Sequence, residues 1–209
     1  MPGILEPKVE EYLGALVPKR DALLSEMERY AAKHAVPIIG PACGRLLYAL
    51  TQISKARRIF EMGSAIGYST IWFARAAGPR VQIFYTDGNP ANAARAKKYF
   101  ERAGVAGRIR ILTGNALDLI EDVTGSFDII LIDIDKDQYP EALKKSLPRL
   151  ARGGLLVADN VLWSGRVARS ASDIETTSIK KFNRMIYGCK DLYPVIVPLR
   201  DGVAVCRKV

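Results

Sequence analysis

Along the first fifty residues the apolar positions recur at intervals of three and four, the period of a helix that buries one face. The spacing predicts helices over residues 9–17, 19–34 and 44–53, the last one starting after Pro41, read as a breaker. From Arg57 onward the pattern changes. Short β-branched or apolar runs at residues 58–62, 81–86, 108–113, 127–132 and 155–158 predict strands, and the amphipathic stretches between them predict helices. Strand and helix in alternation make parallel βαβ units, so the expected fold class is α/β, with a doubly wound, mostly parallel sheet. Near the end, residues 195–197 and 203–206 flank Pro198-Leu-Arg-Asp-Gly202, a connection too short for a crossover helix. It predicts an antiparallel hairpin and brings the expected sheet to seven strands. The expected organisation is one domain over residues 1–209, with 1–54 a helical cap and 55–209 the α/β core.

Composition narrows the class without altering that fold. With 209 residues, 49% hydrophobic and 25% charged, the chain has the makings of one ordinary globular domain. Its longest apolar runs fall far short of the roughly 18 residues that a membrane crossing requires, so no membrane partner is expected. Glu6, Glu10 and Glu11 stand where a secretory signal would carry basic residues, which predicts a cytoplasmic location. Cys43, Cys189 and Cys206 fit neither a disulfide framework nor a zinc site and are expected to be reduced, mostly buried thiols. Lys and Arg number 31 against 22 Asp and Glu, a net charge of +9 that would attract an acidic partner such as RNA. The excess is spread over Lys97, Lys98, Lys144, Lys145, Lys180 and Lys181 instead of one run, and solubility is the simpler role. The single histidine, His34, falls near a helix end, where capping is expected of it.

In open α/β sheets ligands bind beyond the carboxyl ends of the strands, so the residues that follow each strand are the candidates for chemistry. After the first comes Glu61-Met-Gly-Ser-Ala-Ile-Gly-Tyr-Ser69, a glycine turn leading into a helix. Gly63 and Gly67 would let the backbone pass close to a ligand, with Ser64 in the turn and Ser69 in the helix's first turn. A dinucleotide fingerprint would need glycine where Ala65 and Tyr68 stand, which disfavours a pyrophosphate and with it a nicotinamide dehydrogenase. Asp87 follows the second strand, placed either to accept from two ribose hydroxyls or to cap the next helix. Asn115 and Ala116 follow the third, either beside an adenine edge or as plain turn chemistry. The fourth strand runs into Asp133-Ile-Asp135-Lys136-Asp137 and the fifth into Asp159-Asn160. Carboxylates at neighbouring strand tips repel unless a cation lies between them, and Asp133, Asp159 and the amide of Asn160 suit a hard divalent ion, magnesium first, with manganese or calcium as substitutes. Lys136, three residues beyond Asp133, is expected to point back into the same pocket, where a dication would favour its neutral form and suit it as a general base.

At these residues the sequence resembles the metal-dependent catechol and caffeoyl-CoA O-methyltransferase family, in particular its small bacterial members. The resemblance runs from about Pro37 to the end and is carried by segments 61–69, 132–136, 158–165 and 199–204. It implies a Rossmann-like methyltransferase fold and S-adenosylmethionine as cofactor. It further implies that Asp133, Asp159 and Asn160 bind the metal, that Lys136 is the base, and that Asp87 holds the cofactor ribose. Gly63, Ser69 and Asp133 would lie against its methionine portion, Asp135 near its amine, and Ile39 would add backbone contacts. A homodimer built partly from the N-terminal helices is implied as well.

The chemistry expected is in-line attack of a substrate oxygen on the sulfonium methyl, the acceptor being a catechol-like or caffeoyl-type hydroxyl. Trp163 would either wall a planar substrate or anchor its loop on the core. Two alternatives stay open: a tRNA 5-hydroxyuridine O-methyltransferase, which the basic charge favours, and a non-catalytic S-adenosylmethionine-binding module, which would need neither Lys136 nor the metal trio.

Overall fold

The computed structural model describes residues 4–170 and 172–209. Three helices open the chain: α1 (Pro7–Leu16), α2 (Ala22–His34) and α3 (Gly40–Ser54). Then come β1 (Arg58–Met62), α4 (Tyr68–Ala77), β2 (Gln82–Asp87), α5 (Pro90–Arg102), β3 (Ile109–Thr113), α6 (Ala116–Asp122) and β4 (Phe127–Ile132). The order is completed by α7 (Tyr139–Ser146), β5 (Leu150–Ala158), α8 (Ile174–Gly188), β6 (Leu192–Val197) and β7 (Val203–Lys208). The seven strands form one sheet in the order β3-β2-β1-β4-β5-β7-β6. Pairs among β1 to β5 are parallel, whereas β7 runs antiparallel to both β5 and β6.

Alternation along the strands sorts the core into two layers. Ile129 and Leu131 face a cluster shared with α2, α3, α4 and α5, while Ile130 and Ile132 face one shared with α6, α7 and α8. A strand apolar on both faces belongs in the middle of a covered sheet, which is where β4 lies. Phe60, Phe84 and Phe127 stack into one aromatic group under that second layer.

Helix starts are set by side chains that satisfy free amides. Asp21 accepts from Leu24 N at 3.0 Å, Asn89 from Ala91 N at 2.9 Å and Asn115 from Leu117 N at 2.9 Å. Pro41 is no breaker. It sits in the first turn of α3, where proline has no amide to lose, so the helix begins at Gly40 instead of 44. β5 is likewise longer than the apolar run 155–158. Its first half contains Arg152, Gly153 and Gly154, and its pairing with β4 shifts register between Phe127 and Ile129. A Cβ at Gly154 would lie 2.8 Å from Ala151 O and 3.0 Å from Asp128 O, so the irregular crossing requires glycine there.

Helix α1 stands apart, with none of its residues buried and Val9, Tyr12, Leu13 and Leu16 exposed. His34 lies in the last turn of α2, its ring stacked on Tyr30 at 4.2 Å. Cys43 and Cys206 are buried, Cys189 is half-buried, and all three are free thiols. Among the described residues, no helix is long and apolar enough to cross a membrane.

Candidate active site

A cavity of about 800 Å³ opens beyond the carboxyl ends of the parallel strands. Of the residues singled out from the sequence, Gly63, Asp87, Asn115, Ala116, Asp133, Asp135, Lys136, Asn160 and Trp163 line it. Its wall is strongly acidic: Asp87, Asp133, Asp135, Asp137 and Glu175 face one lysine, Lys136.

The turn after β1 is locked by backbone contacts. A Cβ on Gly63, at φ +80°, would meet the Asp133 carbonyl oxygen at 2.2 Å, so only glycine lets the exits of β1 and β4 come together. Gly67 has a different reason for being glycine. Its Cβ would strike the Phe100 ring at 2.4 Å, so it serves the packing of α5 and does not face the cavity. Ala65, also at positive φ, donates its amide to Asp87 Oδ2 at 2.9 Å, and its carbonyl accepts from the Tyr85 hydroxyl. Asp87 also accepts from Asn89 N at 2.8 Å and from Asn92 Nδ2 at 3.1 Å through Oδ1. It is therefore a fixed, cavity-facing carboxylate, and the cap of α5 is Asn89 instead. Asn115 does cap α6, so its side-chain oxygen is already engaged where it borders the cavity.

Three residues of the turn are buried and do not line the cavity. Glu61 is fully buried and takes a hydrogen bond from Thr70 Oγ1 at 2.5 Å, while its Oε1 has no partner. Burial pushes its carboxyl up to about 7, against the pull of the nearby hydroxyls of Ser69, Thr70 and Ser64. Ser64 and Ser69 thus face Glu61 and are themselves buried. Ile39 is also buried, with its backbone carbonyl accepting from Arg200.

At the far wall, Lys136 Nζ donates to Tyr139 Oη at 2.9 Å, to Ile134 O at 3.0 Å and to Asp133 Oδ1 at 3.3 Å. Tyr139 is wholly buried and donates to Asp159 O at 2.8 Å, tying the exit of β4 to that of β5. Asp159 is buried behind Asn160 and accepts from its amide at 2.9 Å. Burial first, and then the Asp133 charge, push the Asp159 carboxyl up to about 7, with Arg200 pulling it down. Among the described residues, no three His, Cys, Asp or Glu side chains gather as a metal-binding group. The expected trio comprises two carboxylates and the Asn160 amide, a donor set of hard oxygens whose paired negative charge shows in the raised Asp159.

Residues that periodicity and strand ends do not point to complete the site. Asp201, at the tip of the β6–β7 hairpin, is buried and accepts from Ser164 N, fixing the loop that carries Trp163. The Trp163 ring borders the cavity and also packs on the core, with its buried Nε1 unpaired. Pro37 forms part of the rim, and Ile174 and Glu175 from the start of α8 close the opposite side.

With this geometry in view, the likeness to known proteins is specific. A model of the O-methyltransferase family matches residues 17–209. A catechol O-methyltransferase of Niastella koreensis is 36% identical over 186 residues, 85% of this chain and 84% of that protein. One from Mycobacterium tuberculosis is 30% identical over 183 residues, 86% of this chain and 83% of that one. The crystal structure of an O-methyltransferase from Bacillus cereus in complex with SAH matches with a TM-score of 0.87 at 27% identity, over 97% of each chain. That of an O-methyltransferase from Streptomyces achromogenes involved in tomaymycin synthesis, in complex with SAM, matches at 0.88 and 28% identity, over 97% of this chain and 96% of that one. On the span of the family match and these identities, the chain belongs to the O-methyltransferase family.

Proposed function

We propose that this O-methyltransferase transfers the methyl group of S-adenosylmethionine to a hydroxyl of a catechol-like or caffeoyl-type small molecule, with a hard divalent cation bound at Asp133, Asp159 and Asn160. One observation carries the cofactor: among the described residues, five carboxylates and a single lysine line a cavity of about 800 Å³. Such a wall favours a ligand bearing a sulfonium and an ammonium and repels one bearing a pyrophosphate. The relatives complexed with SAH and SAM support the same reading.

Within that cavity Asp87, held by Ala65, Asn89 and Asn92, accepts from the two ribose hydroxyls. Ala116 and the backbone at Asn115 border the adenine, and Gly63 and Asp133 border the methionine portion. Glu61, Ser64 and Ser69 are buried together in the same turn as Gly63. Lys136 is fixed by three acceptors that use all three donors of an ammonium, so its service as base requires that Nζ first release a proton. It then takes the proton of the acceptor hydroxyl as the oxygen attacks the methyl carbon and the carbon–sulfur bond breaks. The divalent ion, when bound, supplies positive charge that makes the acceptor hydroxyl more acidic. Alignment of oxygen, methyl and sulfur is the protein's larger contribution, worth roughly 7 to 11 kcal/mol in well-oriented systems.

The reading includes a second copy of the chain as partner for the uncovered apolar face of α1, which sedimentation of the purified protein tests. One observation favours a second acceptor, a hydroxyl on tRNA: Lys55, Arg57 and Arg80 line a separate cleft of about 520 Å³. The deciding experiment supplies methyl-labelled S-adenosylmethionine to catechols, caffeoyl conjugates and hypomodified tRNA, with and without chelator. Label in catechols that disappears with chelator is the expected result. Chelator-resistant transfer removes the metal, and label in tRNA alone replaces the small-molecule acceptor.

A further inference from the structure

Between α2 and α3, residues 36–39 form neither helix nor strand, yet Pro37 lies on the rim of the cofactor cavity. What fixes this span comes from the other end of the chain. Arg200, at the tip of the β6–β7 hairpin, donates from Nη1 to Ile39 O and, at 3.4 Å, to Ile38 O. Its guanidinium also packs on Gly40, where a Cβ would lie 3.5 Å from Cζ. The same guanidinium lies beside the Cys43 thiol in α3, and its charge favours the ionised form of Asp159, the residue after β5. The backbone of Arg200 itself stands at φ +51°, a region that favours glycine and penalises any residue with a Cβ. An arginine kept in that conformation needs compensation, and the carbonyls of Ile38 and Ile39 provide it.

We propose that Arg200 is a positioning residue that latches residues 37–40 over the cavity, so that the hairpin tip sets how tightly the protein closes on S-adenosylmethionine. The affinity part rests on the cofactor reading above; the latch itself does not. Amide hydrogen exchange in the ligand-free protein tests the latch, and calorimetric titration with S-adenosylhomocysteine tests its consequence. Arg200→Gln is expected to speed exchange at residues 38–44 about tenfold, leaving β1 to β5 unchanged, and to weaken S-adenosylhomocysteine binding about tenfold. In turnover at saturating divalent metal, KM for S-adenosylmethionine should rise by a similar factor. Arg200→Lys should recover part of both effects. Arg200→Gly, which suits the positive φ, should fold well and still lack the latch. Unchanged exchange at residues 38–44 in both Gln and Gly variants overturns the proposal, as does faster exchange with undiminished affinity. Should the wild-type protein fail to bind S-adenosylhomocysteine, the cofactor reading falls, and the exchange difference alone decides the latch.

Discussion

The two rims of the sheet carry opposite charge. Beyond the carboxyl ends of the strands, the larger cavity presents Asp87, Asp133, Asp135, Asp137 and Glu175 against Lys136. At the amino ends of β1 and β2, the smaller cleft is lined by Lys55, Arg57 and Arg80 and, among the described residues, by no carboxylate. A net charge of +9 describes neither place. The total governs solubility and long-range attraction, whereas the ligand answers to the charges that face it, and at the acidic rim these call for a cation.

The sharpest way to break this contrast is to remove Lys136, the one cation of the acidic rim among the described residues. Lys136→Ala is expected to lower kcat about a thousandfold, while S-adenosylhomocysteine binding, read by calorimetry, stays within about threefold. Loss of binding as well would make Lys136 part of the wall and not the base. Next comes the carboxylate assigned to the ribose. Asp87→Asn keeps the shape that accepts from Ala65 but removes the charge, and cofactor affinity should fall roughly tenfold to a hundredfold.

A third test adds buried negative charge at the end of β1 by pH alone. Glu61 is held near 7 in the fold against 4.5 as its ordinary value, so the folded protein binds a proton that the unfolded chain has released. That stabilisation is complete below about pH 4.5 and is lost as pH rises through 7, a swing of about 3 kcal/mol at most. Urea unfolding across this range should show the decline, and Glu61→Gln should flatten it. The smallest effect is expected at the opposite rim. Arg57→Glu with Arg80→Glu should leave cofactor affinity within about twofold and abolish any salt-sensitive RNA binding. A larger change in cofactor affinity would mean the two rims are coupled.

The sheet was legible in the sequence because its strands are short apolar runs, and the C-terminal hairpin because its connection is too short for a crossover. What escaped was decided by neighbours. Pro41 reads as a stop until its place in the first turn of α3 is known, and Gly153 and Gly154 hide the first half of β5, Gly154 because it answers to the irregular crossing with β4. In the site, Asp87, Asp133, Lys136 and Asn160 were legible as polar residues at strand ends. Gly67, Ser64, Ser69 and Glu61 share that turn but not its exposure, since a turn has an inner and an outer side that spacing cannot tell apart. Tyr139 gave no signal of its own, and Asp201 and Arg200 stood out only as part of segment 199–204. Their partners lie 20, 37 and 161 positions away.

The hook formed by Asp201 and Arg200 bears on the order in which the chain is made. Every residue lining the cavity has been synthesised by Glu175, yet the residues that set the Trp163 loop and the rim at Pro37 come some 25 positions later. A nascent chain can therefore hold a nearly complete cofactor pocket while its entrance is still unset, and competence arrives only when the final hairpin docks beside β5.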